Sequence, residues 1–139
     1  MAFFGPEMPL PAIGPDTRDF WEACREHRLV VQRCTGCQSF RFAPAPVCFE
    51  CHSWDYENVE SNGVGEVYTW TITHRAIHPA VAQAVPYNTV VVRLLDCGGA
   101  MITSNLVGVA NEEIRPGMLV RVEWDEIDSD ITLPRFRPL

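Results

Sequence analysis

The sequence predicts a mainly β fold in three parts: a short N-terminal helix, a four-cysteine metal ribbon and a five-stranded barrel. Three observations predict it. Apolar side chains recur at helical spacing over residues 16–28; Cys34, Cys37, Cys48 and Cys51 are spaced C-x2-C-x10-C-x2-C; and from Gly65 onward, alternating or β-branched runs are separated by glycine and proline corners. The expected divisions are an arm and helix over 1–28, a ribbon over 29–57 and a barrel over 58–139. With 47% hydrophobic and 21% charged residues the chain is globular in composition. None of its apolar runs approaches the ~20 residues of a membrane span.

Residues 1–15, "MAFFGPEMPLPAIGP", form an apolar, proline-punctuated arm. It has neither the basic start nor the long apolar core of a signal peptide, so the expected compartment is the reducing cytoplasm, where structural disulfides are rare. Such an arm either frays or lies on a partner, and the adjacent Phe3 and Phe4 favour a partner. The next stretch, "PDTRDFWEACREHRL", places Asp16 as an N-cap and Asp19 at the third helical position. Phe20, Trp21, Cys24 and His27 then fall on one face, so a short amphipathic helix is expected over about 16–28.

Two Cys-x-x-Cys pairs separated by ten residues suit a structural zinc site. Each pair wraps two sulfurs round one ion from a tight turn, and four thiolates complete the tetrahedral shell with no open position. A thioredoxin-type redox centre would need one pair opening a helix in a βαβ unit, and none is present. Iron in a rubredoxin-like site uses the same four ligands, and spacing does not separate the two metals. Gln38 and His52 stand where glycine often follows a knuckle, and His52 adjoins a ligand. Cys24 reads as a small core residue on the helix and Cys97 as an exposed turn residue.

Five strands are expected beyond the ribbon. "GEVYTWTITH" alternates, with Tyr68, Trp70, Ile72 and His74 on one face and Val67, Thr69, Thr71 and Thr73 on the other. "TVVVRLL" is a buried type of run; the glycines after Cys97 make a turn into "AMITSNLVGV"; Pro116-Gly117 turns into "MLVRVEW". "ITLPRF" closes the set, with Pro134 confining it to an edge or end. Five short strands curled on themselves suggest an OB-fold barrel, a small sandwich being the alternative. The connection over 75–87, long for a compact domain and holding His78 and two prolines, is the loop to expect near a site.

Charge narrows the function. The net charge is -7 and all 11 basic residues are arginine, scattered mostly singly. Ribbons and OB-folds both bind nucleic acid, and Tyr68 with Trp70 would make a stacking platform, but this balance disfavours a single-stranded nucleic-acid module. His74 and His78 are the residues a stand-alone thioesterase or hydratase would use. No nucleophile motif, nucleotide fingerprint or tuning partner accompanies them, so no catalytic residue is assigned.

The order of parts carries a resemblance. "FWEACREHRLVVQRC", the four-cysteine ribbon, "GVGEVYTWTITHR", "PYNTVVVRLLDCGGAMITSNLVGV" and "IRPGMLVRVEW" together resemble the zinc-ribbon/OB-fold, acyl-CoA-associated family called domain of unknown function 35, over about residues 16–126. The specific pieces are Phe20-Trp21, the cysteine spacing, the Gly65–His74 strand, Pro86-Tyr87 and Pro116-Gly117-Met118; the family's usual proline after the third cysteine is Phe49 here. The resemblance implies a rubredoxin-like zinc ribbon and an accessory subunit whose chemistry belongs to a thiolase-fold partner, in a ketothiolase-like, synthase, hydratase or acyltransferase assembly. "TWTITHR" with "HPAVAQAVPYNTVVVRL" looks most like the branch that pairs with lipid-transfer-protein-type thiolases, two copies of each, to cleave the side chain of steroid-CoA thioesters. Phe3, Phe4, Phe20 and Trp21 are then expected to dock on the partner. His74, Arg75, His78 and Tyr87 are expected beside the acyl-CoA thioester, with Arg75 and Arg93 available to its phosphates.

Overall fold

The computed structural model describes residues 3–139. Helix α1 (Arg18–Arg25) leads into a three-stranded antiparallel sheet of β1 (Leu29–Cys34), β2 (Phe40–Arg41) and β3 (Tyr56–Ser61), in the order β2-β1-β3. Strands β4 (Val64–Thr73), β5 (Tyr87–Leu94), β6 (Met101–Ser104), β7 (Leu119–Glu126) and β8 (Thr132–Pro138) form a second sheet in the order β6-β5-β4-β7-β8. The fold is thus mainly β, with one helix, a ribbon and a curled five-stranded OB sheet, as expected.

The helix is shorter than its periodicity suggests. Thr17, not Asp16, stands at the N-cap, held by a turn in which the Gly14 amide donates to Thr17 Oγ1 at 3.1 Å. At the other end the Arg28 amide donates to Ala23 O and the His27 amide to Cys24 O, a Schellman closure. It requires a left-handed residue, and His27 supplies it at φ 58°. His27 therefore leaves the apolar face on which its spacing placed it. Its ring stacks on Trp124 at 5.5 Å and its Nε2 lies 2.8 Å from Glu126 Oε1.

The long strand β4 departs from simple alternation at a bulge between Val67 and Thr69. The extra residue is Tyr68, which turns outward at 54% exposure. Val67, Trp70 and Ile72 consequently all pack toward the core, although strict alternation puts Val67 opposite the other two. The stacking platform expected from Tyr68 and Trp70 is split by the same bulge.

Curling brings the two edges of the second sheet together. The chain after β6 leaves β5 and meets β8: Leu106 bridges Phe136, and the Val107 amide donates to Phe136 O at 2.8 Å. Buried Asn88 on β5 fastens this crossover. Its Nδ2 donates to Leu106 O at 3.0 Å and its Oδ1 accepts the Leu106 amide at 2.6 Å, standing in for a strand partner. Pro134 lies on the edge strand β8, where a missing donor is tolerated.

One core serves all the parts. Phe20, Ala23 and Cys24 of the helix and Leu29, Val30 and Val31 of β1 join Val67, Val90, Val92, Leu94, Ile102, Val120 and Phe136 of the barrel. Cys97 is fully buried in this core, which corrects its reading as an exposed turn residue. The turn is pressed under the ribbon; a Cβ on Gly98 would meet the Phe40 ring at 2.6 Å. Asp96 locks the same turn to the end of β3 by accepting from Ser61 Oγ and the Asn62 amide, each at 2.7 Å.

The arm does not float. The Phe3 amide donates to Asp125 Oδ2 at 3.1 Å and the Gly5 amide to Ala80 O at 2.9 Å. Phe3 and Phe4 both stack on the guanidinium of Arg135, at 5.3 and 5.6 Å. Phe3 and Phe4 are thereby half-buried against the chain's own barrel, while Leu10 and Ile13 stay exposed.

Because Asn88 satisfies both backbone groups of Leu106 in a buried position, Asn88→Ala is expected to cost about 2–4 kcal/mol. Urea unfolding checks this, and a loss under about 0.5 kcal/mol would show that the crossover is held otherwise.

Candidate metal centre

Two turns with the same wiring build the centre. In the first, at the end of β1, the Gln38 amide donates to Cys34 O and the Cys34 amide to Ser39 O, both at 2.9 Å. In the second, the His52 amide donates to Cys48 O and the Cys48 amide to Ser53 O, again both at 2.9 Å. The residue after each pair is left-handed, Gln38 at φ 67° and His52 at φ 64°. Glycine is the easier residue there, but the knuckle geometry is kept without it. His52 points away as an exposed residue and is not among the clustered donors.

The four sulfurs lie within 4.8 Å of one another, with Cys34–Cys51 and Cys37–Cys48 at 3.6 Å. A disulfide would need about 2.05 Å, and all six cysteines are free. A tetrahedral ion with metal–sulfur bonds of about 2.3 Å has sulfur–sulfur edges near 3.8 Å. The donor set therefore fits one tetrahedral metal. Cys34 and Cys48 are buried, Cys37 and Cys51 exposed, so the cluster sits at the ribbon's surface with its four positions filled by protein.

Backbone amides prepare the thiolates. The Cys37 amide, with that of Gly36, lowers the Cys34 pKa against the opposing effect of burial. The Ser39 hydroxyl and amide lower Cys37, and the Cys51 and Glu50 amides lower Cys48. At Cys51 the Ser53 amide pulls down, but the neighbouring thiols push its pKa up to about 11. The fourth proton is thus hard to remove without a cation in the middle. Metal must displace protons here, so affinity falls as pH falls.

The remaining candidate residues fall into two groups. Phe20 is 6% exposed and belongs to the core, its ring forming part of the wall of a groove beside Trp21. Trp21, edge-on to it at 4.9 Å, is half-buried beside a groove of ≈ 280 Å³ that Phe42, Pro44, Ile102 and Leu133 also line. Tyr87 pairs with Thr73 where β4 ends, so His74 and Arg75, which follow Thr73, lie at the same end of the barrel, with His78 further along the connecting loop. His74 and Arg75 are exposed. His78 serves the local backbone, since its Nδ1 accepts the Ala80 amide at 3.1 Å and so caps a single 3-10 turn, Pro79–Val81. Tyr87 packs against Phe4 at 5.0 Å. Arg93 lies apart on the outer sheet face, paired with Glu66 and over the Tyr68 ring.

Sequence reasoning missed two buried arginines. Arg135 donates to Asp125 at 3.2 Å and to Asn105 at 2.7 Å beneath the arm. Arg41 is buried in the ribbon with only part of its guanidinium bonded. Neither carries a spacing signal; both stand in strands among apolar neighbours.

A closed tetrathiolate ribbon sharing one core with an OB barrel defines a small ribbon–barrel protein whose metal is structural in design. Residues 21–57 match the family model for the ChsH2 rubredoxin-like zinc ribbon domain, and residues 58–125 that for the ChsH2 C-terminal OB-fold domain. The chain belongs to this family, DUF35. It is 30% identical over 127 residues to a DUF35 domain-containing scaffold protein of Methanocaldococcus jannaschii, covering 86% of this chain and 88% of that one. It is 42% identical over 130 residues to a probable enoyl-CoA hydratase alpha subunit of Thermomonospora curvata; there it covers 94% of its own length but only 40% of the relative's. Among solved structures it resembles a chain of the Ltp2-ChsH2(DUF35) aldolase, with TM-score 0.82 and 41% identity over 93% of this chain and 98% of that one.

Replacing one buried ligand, Cys34→Ser, is expected to reduce bound divalent metal from about one per chain to background and to loosen the ribbon. Metal analysis and circular dichroism check both; full metal retention would show that the cluster is not the site.

Proposed function

We propose that this chain is the accessory subunit of a carbon–carbon lyase. It docks on a thiolase-fold, lipid-transfer-protein-type partner, two copies of each, and supports retro-aldol cleavage of a steroid side-chain acyl-CoA thioester in the cytoplasm. The observation that carries the reading is the likeness, over nearly the whole of both chains, to the DUF35 chain of the Ltp2-ChsH2 aldolase. The metal of the ribbon is zinc on this reading, a structural ion that holds the docking module in shape.

The chemistry supports a division of labour. Retro-aldol cleavage needs a base to take the β-hydroxyl proton. The Cα–Cβ bond then breaks, leaving a carbonyl on one fragment and a thioester enolate on the other, which is protonated. Among the described residues no nucleophile–base pair and no buried acid–base pair faces the 75–87 loop, and His78 has spent one ring nitrogen on its cap. The reacting groups are therefore assigned to the partner. Trp21 and its groove are assigned to docking, together with whatever surface Phe3 and Phe4 keep free. His74, Arg75 and Tyr87 line the end of the barrel nearest the thioester. A second reading, an accessory subunit of an acyl-CoA hydratase complex, draws on the hydratase alpha-subunit relative.

Co-expression with a lipid-transfer-protein-type thiolase is expected to give one peak on size exclusion, with about one zinc per chain. That complex is expected to cleave a β-hydroxy steroid-CoA, and neither subunit alone to do so. Trp21→Glu is expected to weaken the complex by about tenfold or more while the free chain, although less stable, still folds and binds its metal. Hydration of an enoyl-CoA without cleavage would select the second reading, and separate elution would sink both.

A further inference from the structure

We infer that Arg41 is the buried counter-charge of the ribbon's metal centre: a residue that binds no metal but sets the affinity of the four thiolates for it. The inference rests on the reading of Cys34, Cys37, Cys48 and Cys51 as a metal site.

Register places Arg41 over the site. It stands opposite Gln32 on β1, and Tyr56 on β3 stands opposite Cys34. Residues opposite one another in a sheet share a face, as do residues two apart on one strand. Arg41, Gln32, Cys34 and Tyr56 therefore project from the same side of the ribbon. The order is β2-β1-β3, so a side chain from β2 reaches Tyr56 only by crossing the central strand. Arg41 does so: its guanidinium carbon lies 5.3 Å from the centre of the Tyr56 ring. The positive charge is thus carried across the stretch of β1 that ends in Cys34, a fully buried residue.

Arg41 has no other charge to answer it. It is 5% exposed. Its Nη2 donates to Ala45 O at 2.9 Å, but Nε and Nη1 have no hydrogen-bond partner. Among the described residues no carboxylate pairs with it, whereas the other buried arginine, Arg135, has Asp125. Arg33, next along the same sheet, is matched by Glu57. A buried cation without a counter-ion is strongly unfavourable. A divalent ion held by four thiolates would carry a net double negative charge, and Cys34, one of those four ligands, is the diagonal neighbour of Arg41 on the same sheet face. Cys37 and Cys51 are exposed, but Arg41, Cys34 and Cys48 are buried, and on that buried side solvent screens the attraction less. The same arrangement explains why a basic residue occupies a buried strand position where an apolar one would otherwise pack.

The test separates charge from shape in the full chain. Arg41→Met removes the charge and keeps the length; Arg41→Lys keeps the charge and loses the planar fork. Zinc affinity is read by competition with a chromophoric chelator. Arg41→Met is expected to bind zinc about 10–100-fold more weakly, the range of outer-sphere effects on metal sites, and Arg41→Lys to stay within about threefold of the parent. The drop in melting temperature on chelation is expected to be smaller in Arg41→Met than in the parent, a difference that a purely structural arginine would not produce. Unchanged affinity in Arg41→Met, or equal loss in both variants, overturns the inference. Should Arg41→Met fail to fold, Arg41→Lys decides alone: parent-like binding supports the charge, loss refutes it. A parent chain that binds no zinc refutes the metal reading instead, and so is distinguishable from either result.

Discussion

A sheet of three strands, one of them two residues long, does not hold itself closed in water. Here the closure comes from four sulfurs that converge to within 4.8 Å. Both ends of the long excursion between β1 and β3 are gathered at that point, since Cys34 ends β1 and Cys51 lies just before β3. The fourth thiol resists ionisation beside the other three, so the full set of thiolates is reached only around a cation. Ion binding and local folding are then one event. The consequence spreads beyond the ribbon. Leu29, Val30 and Val31 extend from the clip into the shared core, so the register of β1 also sets the seat of the helix and one wall of the barrel.

Several of the chain's arginines are answered by carboxylates. Arg33, Arg93 and Arg137 on the outside are matched by Glu57, Glu66 and Glu123, and Arg135 inside is matched by Asp125. The burial of Arg135 lowers its pKa, and the Asp125 carboxylate works against that shift. Two phenylalanines of the arm roof this pair and keep water from it. A net charge of -7, with Arg33, Arg93 and Arg137 tied to glutamates, offers little to a polyphosphate backbone, and the outward bulge at Tyr68 splits the paired aromatic platform that single-stranded nucleic acid would need. The ribbon and OB parts are shared with nucleic-acid proteins; the electrostatics are not.

What was legible in the sequence had a local period or a fixed spacing. The cysteine pairs, the strands from β4 to β8 and the glycine turns at 98 and 117 follow from rules reaching only a few residues. The misses needed contacts from far along the chain. His27 fits a helical face until the chain must turn into β1, and the Schellman turn then claims it. Cys97 looks exposed in a turn until the ribbon folds over that turn. Tyr68 fits strict alternation until the bulge in β4 inserts it. Phe3 and Phe4 have no local cue that separates a partner's surface from the chain's own barrel, whose Asp125 and Arg135 lie more than a hundred residues away. The candidate residues divide the same way. The four ligands were readable by spacing, whereas Arg41 is intelligible only once the register puts it on the same sheet face as Cys34.

In the proposed complex the chain leaves the chemistry to its partner and contributes through rigidity. The Trp21 groove, the ribbon and the end of the barrel near Tyr87 are joined by one continuous core, and the arm ties Ala80 of the 75–87 loop to the buried Asp125–Arg135 pair. Force applied where the helix and ribbon meet a partner therefore reaches that loop through packed side chains and short hydrogen bonds rather than through a flexible linker. For a reaction in a second protein this matters, because positioning errors of about an ångström cost large factors in rate. In the proposed complex, the metal clip stands at the start of that chain of contacts: it fixes β1, β1 fixes the core, and the core and arm fix the loop. A structural ion far from the chemistry is then required for turnover without touching substrate.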